Sequence, residues 1–307
     1  MAEHSIAAAM LQFPSVGPAG EPVSESTPEV WRQHLQPVVE AGFTAVEVST
    51  SWLRLGDLSN ARLTDFRDVL ADAGLSVPGI SVVRQSVIHP ERGKENLEFA
   101  RRTIDAAAQL GIDVVCLGLH DELLPAQKSA TWFWTVPGPQ RPEDPEVRDL
   151  AIRRYRELAA HAESSGVRLS LELYEDTYLG SADEAVTFLE DIGHASVGLN
   201  PDVGNLIRQQ RPVEPWEYIL DRTLPYANYW HVKNYARLED PAKDLVLTHP
   251  TSLELGIVNY RQAVQYAIAH GFTGAFVVEH YGGDGLSVGA TNARYLHTLL
   301  PTHATLS

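Results

Sequence analysis

PEVRDLAIRRYRELAAHAESSGVRLSLELY, residues 145–174, holds two periodicities back to back. Its first part spaces apolar residues three and four apart, as an amphipathic helix does, and closes on Gly166, a residue suited to a helix C-terminus. Its last part alternates. Leu169, Leu171 and Leu173 share one face and Ser170 and Glu172 the other, the period-two pattern of a strand. The same alternation of short apolar runs and longer amphipathic segments extends over the whole chain. Strands are expected at 5–13, 43–50, 76–83, 112–119, 167–174, 196–201, 226–233 and 274–280. Helical patterns lie between them, among them TPEVWRQHLQPVVEAG, NLEFARRTIDAAAQLG and YRQAVQYAIAHG. Eight strand-then-helix units predict an α/β fold, a (β/α)8 TIM barrel. No linker, low-complexity tract or composition shift marks a second domain, so residues 1–307 are expected to form one barrel domain. The connections after the fourth strand (120–144) and the seventh (234–258) are unusually long. Both leave the C-terminal ends of strands, where barrel enzymes keep their active sites, and loops of that length serve as lids or binding loops.

Composition narrows the function. With 40 acidic and 24 basic residues, a formal charge of −16 and no basic cluster, the chain is not expected to bind nucleic acid or an anionic membrane. Cys116 is the only cysteine, which rules out an intrachain disulfide and fits a reducing compartment. SIAAAML is apolar but short, and no stretch approaches the ~20 apolar residues of a membrane span, so a cytoplasmic protein is expected.

Strand parity then brings four residues together. Ser170 and Glu172 point into the barrel from the fifth strand. Tyr229, His231 and Lys233 do so from the seventh, and Ala275, Val277 and Glu279 from the eighth; after the sixth strand Asp202 shares the parity of Gly198 and Asn200. Singly, each polar end has an ordinary explanation: a glutamate that meets a neighbouring cation, an aspartate that caps a helix, a histidine that packs. Together they do not, because three carboxylates converging in a barrel mouth repel one another unless they are protonated or share a cation. Glu172, Asp202, His231 and Glu279 are therefore the expected ligands of one divalent metal. The absence of thiolates favours Mn²⁺, the first expectation, or Mg²⁺ or Co²⁺, over a structural zinc.

LELYE, NPDVGN, WHVKN and VVEH, which supply these four residues in order, resemble the xylose isomerase-like barrels: sugar isomerases, ketose 3-epimerases, hydroxypyruvate isomerase and inosose dehydratase. The resemblance covers nearly the whole chain. It implies a metal held by Glu172, Asp202, His231 and Glu279, with the two glutamates also acting as acid and base. It implies substrate contact by Arg237, six residues after the histidine as in the epimerases. Asn205 stands where the family often has the histidine of a DxxH motif, and is expected to face substrate. Glu47 falls where the family often has a glutamate that supports the site. Lack of the DxxH histidine also resembles the α-subunits of C-glycoside deglycosidases, which would imply 3-oxo-glycoside substrates and a small partner subunit in the oligomer.

A metal chelating a carbonyl and an adjacent hydroxyl acidifies the carbon between them and stabilises the enediolate. Glu172 and Glu279, one on either side of that carbon, then take and return a proton. The expected activity is that of a metal-dependent sugar isomerase or epimerase; elimination from the same enolate, in a lyase or dehydratase, is the alternative. No glycine loop cradles phosphate, so an unphosphorylated sugar is favoured. Lys233 holds a substrate oxygen or pairs with an inward carboxylate. His120, by the parity of Val114, Cys116 and Gly118, looks into the mouth as a base, a substrate contact or a loop cap. Trp132, Phe133 and Trp134 offer flat faces to a sugar ring, or form a folded-over lid or an oligomer contact. Two rival readings are weaker: a DNA-repair enzyme on the barrel of endonuclease IV lacks the extra histidines and is opposed by the charge, and a non-catalytic binding barrel leaves the paired carboxylates unused.

Overall fold

The computed structural model describes residues 4–300. Its strands are β1 (Ile6–Ala9), β2 (Ala45–Ser49), β3 (Ser76–Ser81), β4 (Val114–Leu117), β5 (Arg168–Glu172), β6 (Val197–Asn200), β7 (Trp230–Val232), β8 (Asn234–Asp240), β9 (Leu245–Thr251) and β10 (Phe276–Val278). The helices are α1 (Pro28–Glu40), α2 (Asn60–Ala73), α3 (Gly93–Leu110), α4 (Pro125–Ser129), α5 (Pro145–Ser164), α6 (Ala182–Ile192), α7 (Val203–Ile207), α8 (Trp216–Thr223), α9 (Tyr260–Ala269) and α10 (Gly285–Leu299). Strands β1 to β7 and β10 form a parallel sheet in the order β6-β5-β4-β3-β2-β1-β10-β7, curled into a barrel with helices between the strands. Each of the eight lies inside the corresponding apolar run.

The quoted segment shows why. Helix α5 buries Ala151, Ile152, Tyr155, Leu158, Ala159 and Ala162, one face at helical spacing. It ends where Gly166, at φ +72°, turns the chain so that Val167 N–H reaches the Ala162 carbonyl at 2.9 Å. Strand β5 then sends Leu169 and Leu171 outward into the helix layer and Ser170 and Glu172 inward. Two separate cores result. Ile80, Val115, Leu169, Leu199, Trp230 and Phe276 pack between sheet and helices. Small or slim residues, Ala7, Ala45, Val114, Cys116, Ala275 and Val277, fill the barrel interior with one large ring, Tyr229.

The sheet ladder is interrupted at one seam, between β6 and β7. There a single parallel bridge joins Leu199 and Ala227, and Asn200 Oδ1 accepts from His231 N at 2.8 Å, a side chain standing in for a backbone carbonyl. The long connection after β4 contains the short α4 and a turn at Phe133–Thr135. The connection after β7, expected as a loop, is largely the antiparallel hairpin β8/β9. Buried Asn234 ties the chain beyond the hairpin: Nδ2 donates to Leu253 O (2.8 Å) and Val258 O (2.9 Å), and Oδ1 accepts from Val258 N (3.1 Å). Replacing Asn234 by Ala strands these buried groups without partners and should cost about 3 kcal/mol, read as a lowered urea midpoint at unchanged slope.

Candidate active site

Strand parity places Glu47, Glu172, His231 and Glu279 inside the upper end of the barrel, and Asp202 joins them from the first residue before α7, where its Oδ1 caps Asn205 N at 3.2 Å. All five are at least nine-tenths buried. His231 is the centre. Its Nε2 meets Glu47 Oε1 at 2.6 Å. Its Nδ1 has no hydrogen-bond partner and faces Glu279 Oε1 at 3.3 Å, Glu172 Oε1 at 3.6 Å and Asp202 Oδ2 at 3.8 Å. Such an arrangement suits a cation. Neighbouring ligand atoms of an octahedral ion at ~2.1 Å lie roughly 3 Å apart, and a carboxylate on the far imidazole nitrogen fixes the tautomer that leaves the other nitrogen free to ligate.

Other side chains hold the carboxylates in place. Asn205 Nδ2 lies 2.8 Å from Glu172 Oε1 and 3.0 Å from Asp202 Oδ2. The Lys233 ammonium bridges Asp202 Oδ2, at 2.6 Å, and Glu279 Oε2, leaving Oε1 of Glu279 toward the imidazole. Tyr229 donates to Glu47 Oε1 at 3.1 Å. The charges respond to this crowding. Burial alone would lift the Glu172 carboxyl, but His231, His120 and Lys233 hold it well below the usual range. Burial, with Glu279 and Glu172 nearby, lifts Asp202 to about 7 despite Lys233. Burial would lower His231, yet Glu47 and Glu279 hold it well above its ordinary value.

Above the cluster opens a cavity of about 520 Å³ whose wall includes Glu172, Glu279, His120, Phe133, Tyr174 and Tyr281. Of the expected substrate contacts, only His120 lines it. The His120 ring stacks on Tyr174, centroids 4.3 Å apart, and rests so closely on Gly118 that any Cβ there would meet the imidazole. Burial lowers it to about 3, so it is neutral at physiological pH. The other expected contacts lie away from this cavity. Asn205 and Lys233 are buried among the carboxylates, where Asn205 donates to Glu172 and Asp202 and Lys233 to Asp202 and Glu279. Arg237 turns its guanidinium to the carbonyls of Ile207, Gln209 and Arg211, because the hairpin carries it back over the end of α7. Trp132 and Trp134 stack on each other, and Trp134 donates to Thr248 Oγ1 at 3.1 Å, fastening the loop after β4 to the hairpin. The aromatic triplet is a folded-over cover, and Phe133 alone of the three faces the cavity.

Parity missed residues that reach the site from loops and helix ends. Fully buried Arg208, from the end of α7, pairs with both oxygens of Glu175 at 2.7 and 2.8 Å. Its guanidinium lies 4.7 Å from the Phe133 ring centre, and that of Arg84 lies 4.8 Å from it. The sequence signal is Tyr174-Glu175, which closes LELYE after Glu172 and Leu173.

The model of the xylose isomerase-like TIM barrel matches residues 35–298. The chain belongs to this family. A xylose isomerase-like TIM barrel protein from Mycobacterium smegmatis, crystallised in complex with magnesium, is 44% identical and superposes with a TM-score of 0.93 over 96% of each chain. A D-psicose 3-epimerase from Enterocloster bolteae is 23% identical over 179 residues, 56% of this chain and 56% of the epimerase, so the match spans about half of that relative. D-allulose 3-epimerase from Methylomonas sp. shares the fold, with a TM-score of 0.68 at 14% identity over 97% of this chain and 98% of its own. Among the described residues of this xylose isomerase-like barrel, no helix is long and apolar enough to cross a membrane.

A divalent ion at His231 Nδ1 competes with protons on the imidazole and on Asp202, so binding releases protons and strengthens as pH rises through about 7. Calorimetric titration with Mn²⁺ should give a tighter constant at pH 8 than at pH 6, with a heat that depends on the buffer's ionisation enthalpy. Equal affinity at both values would show that no proton is displaced.

Proposed function

We propose that this protein is a divalent-metal-dependent sugar isomerase or epimerase that moves a proton α to a carbonyl. The observation that carries the reading is the unpartnered Nδ1 of His231, buried amid three carboxylate oxygens at the floor of a cavity that Glu172 and Glu279 both line. In this reading Glu172, Asp202, His231 and Glu279 would hold Mg²⁺ or Mn²⁺, and the relative from M. smegmatis, crystallised with magnesium, supports a divalent ion. The bound ion would polarise a substrate carbonyl and its neighbouring hydroxyl.

The chain's own residues do the rest. Glu172, a carboxylate in the wall of the cavity, is placed to remove the carbon-bound proton. Glu279, whose Oε2 is held by the Lys233 ammonium, lines the same cavity and in this reading exchanges the second proton. Glu47 keeps the imidazole turned so that Nδ1 faces the carboxylates. Phe133, Tyr174 and Tyr281 enclose the reacting end and reduce its access to water. The psicose 3-epimerase relative supports a ketose-type substrate.

Glu172→Gln and Glu279→Gln should each lower turnover by about 10³-fold or more, the scale of lost general acid or base catalysis. Glu47→Gln should leave activity reduced by about 10- to 100-fold, as for groups that orient a metal ligand. The substrate panel is free ketoses, aldoses and 3-oxo-glucosides with added Mg²⁺ or Mn²⁺, and metal content and melting temperature are checked for each variant. A folded, metal-loaded Glu279→Gln protein with near-normal rate removes that residue from the mechanism.

Turnover in D₂O should place deuterium on the epimerised carbon. Release of an aglycone from 3-oxo-glucosides alone, without interconversion of any free sugar, would replace this reading by elimination.

A further inference from the structure

Three guanidinium groups line the cavity above the carboxylates, those of Arg54, Arg84 and Arg92. Two of them are neutralised within the chain: Arg54 meets Asp57 at 2.6 Å and Arg92 meets Glu122 at 2.8 Å. Arg84 differs. Among the described residues it forms no ion pair, and its acceptors are both neutral, the Asp121 carbonyl at 3.2 Å and the Tyr174 hydroxyl at 3.0 Å. Those two bonds tie the guanidinium to the chain beyond β4 and beyond β5 and fix its plane, and they leave further N–H groups of the fork unspent. Its carbon lies 4.8 Å from the centre of the Phe133 ring, which faces the same cavity. Arg208, 4.7 Å from that ring, shows how the fold settles a guanidinium it keeps to itself: Glu175 takes it with both oxygens. Arg84, by contrast, is only half-buried and is the cationic side chain of the cavity wall whose partners are all neutral. Its backbone is left-handed at φ 56°, one of three such non-glycine residues among those described, and conformations of this kind persist where the surroundings over-determine them, commonly at ligand clamps.

A guanidinium fork matches a carboxylate through two parallel hydrogen bonds, each roughly twice as strong as a neutral one. With a formal charge of −16 the chain has no long-range field that gathers anions, so a carboxylate has to be recognised at contact range. Arg84 pairs with neither Glu172 nor Glu279, which places the group it takes away from the reacting carbonyl. The wall also offers neutral hydroxyl and amide groups, Thr50, Ser51 and Gln85 among them, to the hydroxyls of a sugar chain.

We propose that the substrate is an acidic sugar, whose carboxylate, at the end remote from the reacting carbonyl, pairs with Arg84. The inference rests on the reading of this cavity as the sugar site. It makes Arg84 a specificity-determining residue, and Tyr174, through the hydroxyl that holds the guanidinium, the residue that positions it.

The test is calorimetric binding to the Mg²⁺-loaded protein of probes that differ only in the oxidation of the terminal carbon: D-fructose against D-fructuronate, D-tagatose against D-tagaturonate, and D-glucose against D-glucuronate. In at least one pair the acid should bind ten-fold or more tighter than its neutral partner, the scale of one charge-assisted hydrogen bond. Arg84→Gln and Arg84→Met both remove the charge, and either one, once its melting temperature and Mg²⁺ stoichiometry show it folded and loaded, decides the matter: the ratio of acid to neutral affinity should fall to within two-fold of unity. If neutral sugars bind and no acid binds better, the inference falls while the cavity remains the sugar site. A preference for acids that survives loss of the charge places the carboxylate on the bound ion instead of Arg84, and also overturns it. If no probe of either kind binds, the assignment of the cavity as a sugar site fails as well.

Discussion

Four carboxylates, those of Glu47, Glu172, Asp202 and Glu279, are buried around a single imidazole, and like charges at that spacing in a poorly solvated site repel strongly. The surroundings answer that repulsion residue by residue. Lys233 ties Asp202 to Glu279, Asn205 ties Asp202 to Glu172, and Glu47 is held by both Tyr229 and His231. His231 Nδ1 is left without a hydrogen-bond partner, facing three of these carboxylates. The rest of the upper barrel reads as support for that point.

The support reaches into the fold itself. The seam between β6 and β7 is where the parallel ladder is thinnest, and it lies beside Asp202 and His231. Asn200 repairs it by taking the His231 backbone N–H with a side-chain oxygen, so the strand carrying the imidazole is located by a side chain as well as by its neighbours. Tyr229 fills the interior below and ends its hydroxyl on Glu47, coupling barrel packing to the orientation of the imidazole. Above, Trp134 and Thr248 fasten the two long connections to each other, and Phe133 reaches the cavity between two guanidinium groups. The cover and the site are one packed unit.

The barrel was legible in the sequence, and so was the inward direction of Glu47, Glu172, His231 and Glu279, because alternation along a strand has a period of two, whereas Asp202 comes in from the N-terminus of α7. A strand sends alternate residues to opposite faces, so Leu169 and Leu171 facing the helices oblige Glu172 to face inward, and Trp230 and Val232 oblige His231 to do the same. Parity carries no further than the strand. Lys233 was legible as inward, but whether its ammonium met substrate or carboxylate depended on the distance to Asp202 and Glu279. Arg237 sat at the right offset from the histidine, yet the chain there is a hairpin, and its guanidinium is drawn to the carbonyls of Ile207, Gln209 and Arg211. The turn EDPAKD between β8 and β9 was the available sign of that hairpin.

Local periodicity in this chain therefore specified which residues enter the barrel, since backbone stereochemistry alone dictates alternation along a strand and the turn at a helix end. Tertiary structure decided what those residues meet. The Glu47–His231 contact spans 184 positions and the Arg84–Tyr174 contact 90. The pairing of Arg208 with Glu175 and the stacking of His120 on Tyr174 likewise arise from elements far apart in the chain. Such contacts depend on barrel closure and on the path of the loops, and no spacing within a single strand or helix encodes them.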